Sequence, residues 1–277
     1  MTKLLLIISI FLSLHIGKLY GNDSIAVTYI ANCGFLIETD VHKIIVDGLF
    51  KRGHNHYPTP DTTAQKHMVS NLVPFNDIDL ILVSHSHEDH FDSDMVAECM
   101  LNNPSVRLLC PQQVIDSLTE NESVYGIIKP RIIECTPDTF VSQLLQVDSI
   151  VIHACRFAHP GEEYGNVQNI AYLIAVNGIS IFHSADIDPA QINRYTGVKI
   201  NEMNIDIGMI NEDFAKIENA GLVKQFINAK YNIAMHLPES AAGGWLESLK
   251  DKPEFFSNPF IFIRKMEKKV FYFETGE

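Results

Sequence analysis

Four side chains that can bind a metal ion lie within six consecutive positions of this chain of 277 residues. They form a His-x-His-x-Asp-His motif whose members are His85, His87, Asp89 and His90. The motif directly follows residues 78–83, a short apolar run typical of a strand covered on both faces. Side chains at the carboxyl end of such a strand lie where open α/β sheets place their functional sites. The spacing therefore predicts a metal centre rather than a histidine-rich surface turn.

The spacing inside the motif divides the four candidate ligands into two pairs. His85 and His87 are two residues apart, so they point to the same side of an extended segment. Asp89 and His90 fall on the turn into the next helix, and they diverge from the first pair. One pair can then serve one metal ion and the other pair a second ion. Because six residues cannot surround an ion, we expect further ligands from elsewhere in the chain.

Three more residues share the topological position of the motif. His159 follows the apolar run 148–154, and Asp186 comes just past the run 179–183. His236 lies at the carboxyl end of the short run 232–235. All three runs are predicted strands, so these side chains are candidates for the same edge of the fold.

The elements that must position these residues form blocks of strands with helices between them. Helices are expected near 93–102, capped by Asp92 or Ser93, then from Pro111 to 118, and over 213–228 and 240–250. Residues 51–68 are a polar loop, which we expect to shape the pocket. The predicted strands are 25–31, 35–38, 43–47, 78–83, 106–110, 127–134, 140–146, 148–154, 169–176, 179–183 (turned by Asn177-Gly178), 205–210, 232–235, and a pair at 259–264 and 269–274. This order favours two sheets that share a core in one domain, with helices outside.

The composition limits the class of partner. A formal charge of −13 argues against nucleic acid, because phosphate binding needs a basic surface, and a small-molecule substrate is expected instead. An anionic substrate would depend on bound metal ions for a local positive field. The five cysteines are scattered and form no Cys-x-x-Cys pair, so they are interpreted mainly as buried apolar side chains. No pattern sets the oligomeric state.

Residues 1–21 have the features of a secretory signal peptide. Lys3 supplies a positive start, residues 4–12 an apolar core, and Gly17 and Gly21 small residues for cleavage. The mature domain would then be 22–277, exported to the periplasm or secreted, with no stable membrane insertion. An uncleaved membrane anchor is the competing interpretation, although the apolar run is short for a span.

With this set of residues the chain resembles the metallo-β-lactamase superfamily, from residue 25 to the C-terminus. Five motifs recur in that family, and Asp47, the His-x-His-x-Asp-His motif, His159, Asp186 and His236 each match one. The Met-His-Leu-Pro segment around His236 is similar to the branch that includes the ascorbate-6-phosphate lactonases. The resemblance implies an α/β fold, a four-layer αββα sandwich of two mixed β-sheets flanked by helices, with the metal site at one edge.

The resemblance also implies cofactors and a reaction. Two divalent metal ions are expected, Zn²⁺ first, with Mn²⁺ or Fe²⁺ as alternatives that accept the same ligands. The family's pattern assigns one ion to His85, His87 and His159, the other to Asp89, His90 and His236, and a bridging position to Asp186. The implied activity is a dinuclear metal-dependent hydrolase, in which a hydroxide between the ions attacks a small ester, lactone or phosphodiester. Asp89 and Asp186 are the candidate catalytic residues, which would orient that hydroxide.

Some positions and functions stay open at this point. His153 is a weaker alternative to His159, and Asp188 rivals Asp186 because the chain has Ala-Asp-Ile-Asp where the family commonly has Gly-Asp-Thr. Two other functions compete with the favoured one: a class B-type β-lactamase, and a non-catalytic metal- or ligand-binding member of the fold. An intact set of seven candidate ligands argues against the last.

Overall fold

The structure, a computed structural model, describes residues 23–53, 56–238, 240 and 242–273. Within them, fourteen strands form two seven-stranded sheets. The first sheet contains β1 (Asp23–Ala31), β2 (Gly34–Glu38), β3 (Lys43–Val46), β4 (Leu80–Leu82), β5 (Arg107–Cys110), β6 (Ile132–Glu134) and β14 (Lys268–Phe273). The second contains β7 (Ser142–Val147), β8 (Ile150–Phe157), β9 (Asn169–Val176), β10 (Ile179–His183), β11 (Ile207–Ile210), β12 (Tyr231–Ala234) and β13 (Pro259–Phe260).

Both sheets are mixed, and each changes from antiparallel to parallel pairing midway. The order in the first is β14-β1-β2-β3-β4-β5-β6, antiparallel as far as β3 and parallel from β3 to β6. The order in the second is β13-β12-β11-β10-β9-β8-β7, parallel from β13 to β10 and antiparallel beyond it. The parallel strands therefore end at one edge, where their following loops can meet.

Seven α-helices in the described residues cover the outer faces. They are α1 (Thr62–Val69), α2 (Ser93–Asn102), α3 (Gln112–Leu118), α4 (Glu122–Ile128), α5 (Glu212–Ala215), α6 (Ala220–Phe226) and α7 (Ala242–Lys250). As expected, Asp92 caps α2, because its side chain accepts a hydrogen bond from the Met95 backbone N–H. Pro111 is the cap residue of α3 and so lies one position before the helix.

Three apolar clusters separate four layers. Alternate side chains along one strand point to opposite faces, so Ile44 and Val46 of β3 enter the cluster between the sheets, whereas Ile45 enters the cluster under α1–α4. The third cluster joins the second sheet to α5, α6 and α7, and it includes Phe182, Phe214 and Leu249. The predicted four-layer αββα sandwich of two mixed sheets is confirmed.

Hydrogen bonds between the sheets fix the segment that carries the His-x-His-x-Asp-His motif. The Tyr172 hydroxyl, fully buried on β9, donates to the Val83 carbonyl at 2.8 Å. The Ile170 backbone N–H donates to the Ser84 carbonyl at 3.0 Å. The end of β4 is therefore held against the second sheet at the position where the motif begins.

Four sequence predictions of local structure were wrong. The loop 51–68 contains the start of α1, whose cap is Asp61. The first part of the predicted strand 127–134 is helical and only residues 132–134 are extended, and the helix predicted over 213–228 is split into α5 and α6. The two C-terminal strands, predicted as a pair, lie in different sheets, because β13 pairs with β12 and β14 with β1. The Asp61 cap is a local signal that the sequence prediction overlooked, whereas the pairing of the C-terminal strands depends on long-range packing, which no local pattern records.

The turn between β9 and β10 agrees with its prediction. Asn177 and Gly178 both have positive φ, 49° and 77°, as the favoured two-residue hairpin turn requires. Residues 1–21, interpreted as a signal peptide, lie outside the described residues. In the part of the chain that the structure describes, no helix is long and apolar enough to span a bilayer.

Candidate metal centre

The predicted site residues meet at one edge of the two sheets, each carried by a loop that follows a strand. The motif follows β4, and Asp47 directly follows β3 in the same sheet. From the second sheet, His159, Asp186 and His236 come within three residues of the ends of β8, β10 and β12. All seven candidate ligands are thereby brought together from four separate stretches of the chain.

The Asp186 carboxylate is the centre of the cluster. Its Oδ2 atom lies 3.3 Å from Nε2 of His90 and 3.4 Å from Nε2 of His159. The Nε2 atoms of His236 and His85 lie 3.5 and 3.8 Å from the same oxygen. Four imidazoles therefore converge on one carboxylate oxygen.

The opposite nitrogen of two of these imidazoles is fixed by Asp47. Its Oδ2 accepts from Nδ1 of His90 at 2.9 Å and from the Ser84 hydroxyl at 2.6 Å. The Ser84 oxygen in turn accepts from Nδ1 of His85 at 2.9 Å. Because a proton on Nδ1 leaves Nε2 as the free nitrogen, Asp47 orients both rings toward Asp186.

His159 and His87 complete the side of the cluster that faces β8. Nδ1 of His159 donates to the Pro160 carbonyl at 2.8 Å, which also leaves its Nε2 free. The His87 ring lies 4.7 Å from the His159 ring and 4.6 Å from the His85 ring. Burial, together with the neighbouring His159, lowers the pKa of His87 to about 4. His87 is thus a neutral imidazole at neutral pH, the form that binds metal.

The ligand atoms fall into two groups that can each hold an ion. Within each group the ligand atoms lie within 4.8 Å of one another. The first group is His85, His87 and His159, the set that the family pattern assigns to one ion. The second group is Cys33, His90, Asp186 and His236. Asp89 adjoins the second group, since its Oδ2 lies 3.4 Å from Nε2 of His236 and 3.8 Å from Nε2 of His90.

Opposite charges dominate the second group. Burial opposes ionisation of Asp186, but His236 and His90 outweigh it and hold the pKa of that carboxyl well below its usual range. Likewise His90 and His236 overcome burial and lower the pKa of Asp89 to about 2. In return the carboxylates raise the pKa of His90 and His236 against the effect of burial. An ion that bound these nitrogens would release their protons.

Two residues of the site were missed from the sequence. The Asn32 side-chain amide donates to the Asp89 carbonyl at 3.2 Å and to its Oδ2 at 3.1 Å. The Cys33 thiol donates a weak hydrogen bond to Oδ1 of Asp186, with 3.9 Å between sulfur and oxygen. Burial, then the nearby Asp186, raises the pKa of this thiol well above its usual value. Their only sequence signal is a turn after β1, which resembles any other Asn-containing turn.

The alternatives to two predicted ligands lie outside the cluster. His153 is inside β8, opposite Leu144 and Leu173 in the neighbouring strands, and its ring belongs to neither group of ligand atoms. The Asp188 carboxylate accepts from the Ala190 N–H at 3.0 Å and from the Gln191 side chain at 2.9 Å. The structure therefore places His159 and Asp186, rather than these rivals, at the cluster.

Left-handed backbone conformations surround the site. Asn32, Asp47, Ala185 and His236 have φ of 52°, 44°, 50° and 56°. Such values are uncommon for residues other than glycine, and they concentrate where surrounding packing holds a functional loop in place. At Ala185 the family commonly has glycine, the residue that adopts this conformation without a steric cost.

A cavity of about 370 Å³ opens above the cluster. His87, Asp89, His159, Asp186 and His236 form its floor. Its size suits a small molecule.

Comparison with known proteins identifies the family of this chain. A family model described as a β-lactamase superfamily domain matches residues 53–252, which include the motif, His159, Asp186 and His236. The chain belongs to the metallo-β-lactamase superfamily. The resemblance inferred from the motifs is confirmed. No curated protein sequence gave a match.

Several solved structures share the metallo-β-lactamase fold of this chain. Igni18, a metallo hydrolase from the archaeon Ignicoccus hospitalis, has a TM-score of 0.65 at 16% identity, over 90% of this chain and 99% of that one. YhfI from Bacillus subtilis, a metallo-β-lactamase fold protein, has a TM-score of 0.58 at 16% identity, over 88% and 99%. The diiron β-hydroxylase CmlA from Streptomyces venezuelae has a TM-score of 0.56 at 14% identity, over 91% of this chain and 54% of that one. At such identities the likeness shows the fold.

The residues present fit the divalent ions that metallo-β-lactamase proteins bind. The Nε2 atoms of His85, His90, His159 and His236 are buried and have no hydrogen-bond partner among the described residues. Buried polar atoms nearly always have a partner. Four unpaired nitrogens around one carboxylate therefore indicate a site for a bound cation. Imidazole and carboxylate are the ligands that Zn²⁺, Mn²⁺ and Fe²⁺ accept.

Replacing Asn32 with alanine is expected to lower the affinity for the metal about 10- to 100-fold, because partners that orient a ligand typically contribute that much. Chelator competition measures the affinity. Asn228, which has the same φ of 52° but is exposed at the end of α6, provides the control, since Asn228→Ala carries a similar backbone strain. Equal affinities in the two variants would show that Asn32 does not position Asp89.

Proposed function

We propose that this protein is a metal-dependent hydrolase that binds two divalent ions, preferably Zn²⁺, and acts on a small ester, lactone or phosphodiester. The observation that carries the proposal is the convergence of four orphaned imidazole nitrogens on the Asp186 carboxylate, at the floor of a cavity. That arrangement lies beneath an open cavity, as a catalytic rather than a closed structural site requires.

The two groups of ligand atoms support two ions rather than one. His85, His87 and His159 would hold the first, while His90, Asp89 and His236 would hold the second with Asp186 between them. Ions bound there supply Lewis acidity, which makes water a nucleophile near neutral pH and stabilises negative charge on a substrate oxygen.

The chain's own residues supply orientation and charge. Asp47, through Ser84 and directly, keeps His85 and His90 with Nε2 toward the site. Asn32 holds Asp89, whose carboxylate would then accept a hydrogen bond from the attacking water and orient it. Because the pKa of Asp89 is about 2, it is ionised at neutral pH and free to accept that hydrogen bond.

A panel of substrates tests the proposal. Purified protein loaded with Zn²⁺, Mn²⁺ or Fe²⁺ is assayed on lactones, carboxylic esters, thioesters, phosphodiesters and the β-lactam nitrocefin. We expect hydrolysis of an ester, lactone or phosphodiester, its loss on treatment with EDTA, and its return with the metal. Nitrocefin turnover alone would instead identify a β-lactamase. Binding of metal with no turnover of any class would favour a non-catalytic member of the fold.

A further inference from the structure

Carboxylates are present on the walls of the cavity as well as on its floor. Glu88 lies on the motif side, and Glu212 and Asp213 lie on the side formed by the start of α5. Among the described residues that line the cavity there is no lysine or arginine. A substrate therefore enters between negatively charged walls.

Glu212 is the wall carboxylate that no cation contacts directly among the described residues. Asp213 forms an ion pair with Lys216, and Arg52 lies 3.9 Å from Glu88. For Glu212 no ion pair within 4.0 Å exists in the part of the chain that the structure describes. Lys216, which pairs with Asp213, acts on the Glu212 carboxylate only from beyond that distance, so the carboxylate can still contact a ligand in the cavity.

Tyr57 holds the Glu212 carboxylate in one orientation. Its hydroxyl donates to Oε1 of Glu212 at 2.8 Å, which links the segment before α1 to the start of α5. Burial and the Glu212 carboxylate raise the pKa of Tyr57, so the hydroxyl keeps its proton and remains the donor. Asn211 caps α5 by accepting from the Phe214 N–H, and this holds the backbone that carries Glu212. The carboxylate is therefore held in place at the cavity wall.

Two tyrosine rings stand beside the carboxylates. The Tyr57 ring lies 4.1 Å from the His236 ring, above the second group of ligand atoms. The Tyr164 ring lies 5.0 Å from His87 and 4.9 Å from His159, above the first group. Aromatic faces attract ammonium groups, most strongly where the site excludes water, and repel anions. The two rings and the wall carboxylates therefore both favour a positively charged ligand.

Two bound metal ions would bring the site close to neutral without giving it a net positive charge. Two divalent ions carry four positive charges, and the histidines that bind them are neutral. Six carboxylates belong to the site and its walls, namely Asp47, Glu88, Asp89, Asp186, Glu212 and Asp213. With both ions in place, their four charges and those of Arg52 and Lys216 together equal the six negative charges, so no excess of positive charge is left to attract an anion.

We propose that the cavity selects carboxylic esters or lactones that carry an ammonium group, with Glu212, held by Tyr57, as the residue that recognises the cation. This inference rests on the proposed hydrolase function and narrows it, because phosphodiesters and carboxylated esters are anionic. In the reaction the oxygen of water joins the acyl carbon, the ester C–O bond breaks, and the alcohol leaves with a proton. The ammonium group takes no part in the bond changes and supplies binding alone.

Three acetate esters of similar size test the charge preference in the full-length, metal-loaded protein. They are acetylcholine, its uncharged carbon isostere dimethylbutyl acetate, and the anion acetoxybutanoate. We expect kcat/KM for acetylcholine to exceed that for the isostere by at least about tenfold, the range of a desolvated cation-π contact and a facing carboxylate. Acetoxybutanoate should be the poorest of the three. Glu212→Gln should lower the acetylcholine-to-isostere ratio about tenfold, whereas the control Glu218→Gln, at an exposed glutamate outside the cavity, should leave the ratio unchanged.

Calorimetric titration of the same proteins with choline, dimethylbutanol and hydroxybutanoate separates this inference from the proposed function. Choline that binds more tightly than both others, and loses that advantage in Glu212→Gln, supports the inference even if no ester is hydrolysed, a result that would count against the hydrolase function. Hydrolysis of esters without preference for the cation overturns the inference and leaves the function intact. A cation preference that survives in Glu212→Gln overturns the role of Glu212.

Discussion

Replacing Asp186 with asparagine should abolish metal binding at the second group and lower kcat/KM about a thousandfold. The change removes the negative charge on which His85, His90, His159 and His236 converge, at distances of 3.3 to 3.8 Å from one oxygen. Removing one member of a buried charge cluster typically costs about 3–5 kcal/mol, which corresponds to about 10²- to 10⁴-fold. Metal analysis of the purified variant and its turnover of the best ester measure the two effects.

Asp188→Asn is the matched control for this change. It makes the same chemical substitution two residues away, and asparagine can still accept the cap hydrogen bond from the Ala190 N–H. We expect metal content and kcat/KM close to those of the native protein. If Asp188→Asn lost the metal and Asp186→Asn kept it, the bridging position would belong to Asp188.

The second large effect is expected at His159. Alanine there removes an imidazole whose Nε2 lies 3.4 Å from Asp186 and whose ring lies 4.7 Å from that of His87. The first group of ligand atoms is then left with two members, so we expect an affinity for the first ion at least about 100-fold weaker. Titration with a competing chelator measures the affinity, and circular dichroism checks that the variant is folded.

His153→Ala distinguishes the loss of a ligand from the loss of any histidine on this part of the chain. His153 is on β8 and His159 two residues past its end, yet His153 belongs to neither group of ligand atoms. Its replacement should leave the metal affinity unchanged, with a small loss of stability from the half-buried side chain. Similar affinities for His159→Ala and His153→Ala would remove His159 from the site.

The local sequence predicted the candidate metal ligands that follow the ends of strands. Residues 78–83 read as a strand buried on both faces, and the structure buries Leu80, Ile81 and Leu82 completely or nearly so. A motif that follows such a strand must lie at the carboxyl edge of the sheet. His159, Asp186 and His236 were located by the same argument. Hydrophobic patterning and the direction of a strand are local properties, so they can be seen in a sequence.

The residues that surround these ligands were not predictable in the same way. Asn32 contacts Asp89, 57 positions away, and Tyr57 contacts Glu212, 155 positions away. Neither residue has a spacing or a pattern that marks its partner. Asn32 lies in the turn after β1, and Tyr57 lies in the segment before α1. The acidic walls of the cavity also depend on contacts between distant parts of the chain. Glu88 and Glu212 line one cavity only when the two sheets have packed together.

The metal content of the purified native protein tests the central claim most directly. Protein prepared at neutral pH without chelator, and analysed by inductively coupled plasma mass spectrometry, should contain about two divalent ions per chain, because two groups of imidazole and carboxylate ligands are available to bind them. Zn²⁺ is the expected metal. Fewer than one ion per chain, with no uptake when Zn²⁺, Mn²⁺ or Fe²⁺ is added, would contradict the metal centre and with it the hydrolase function.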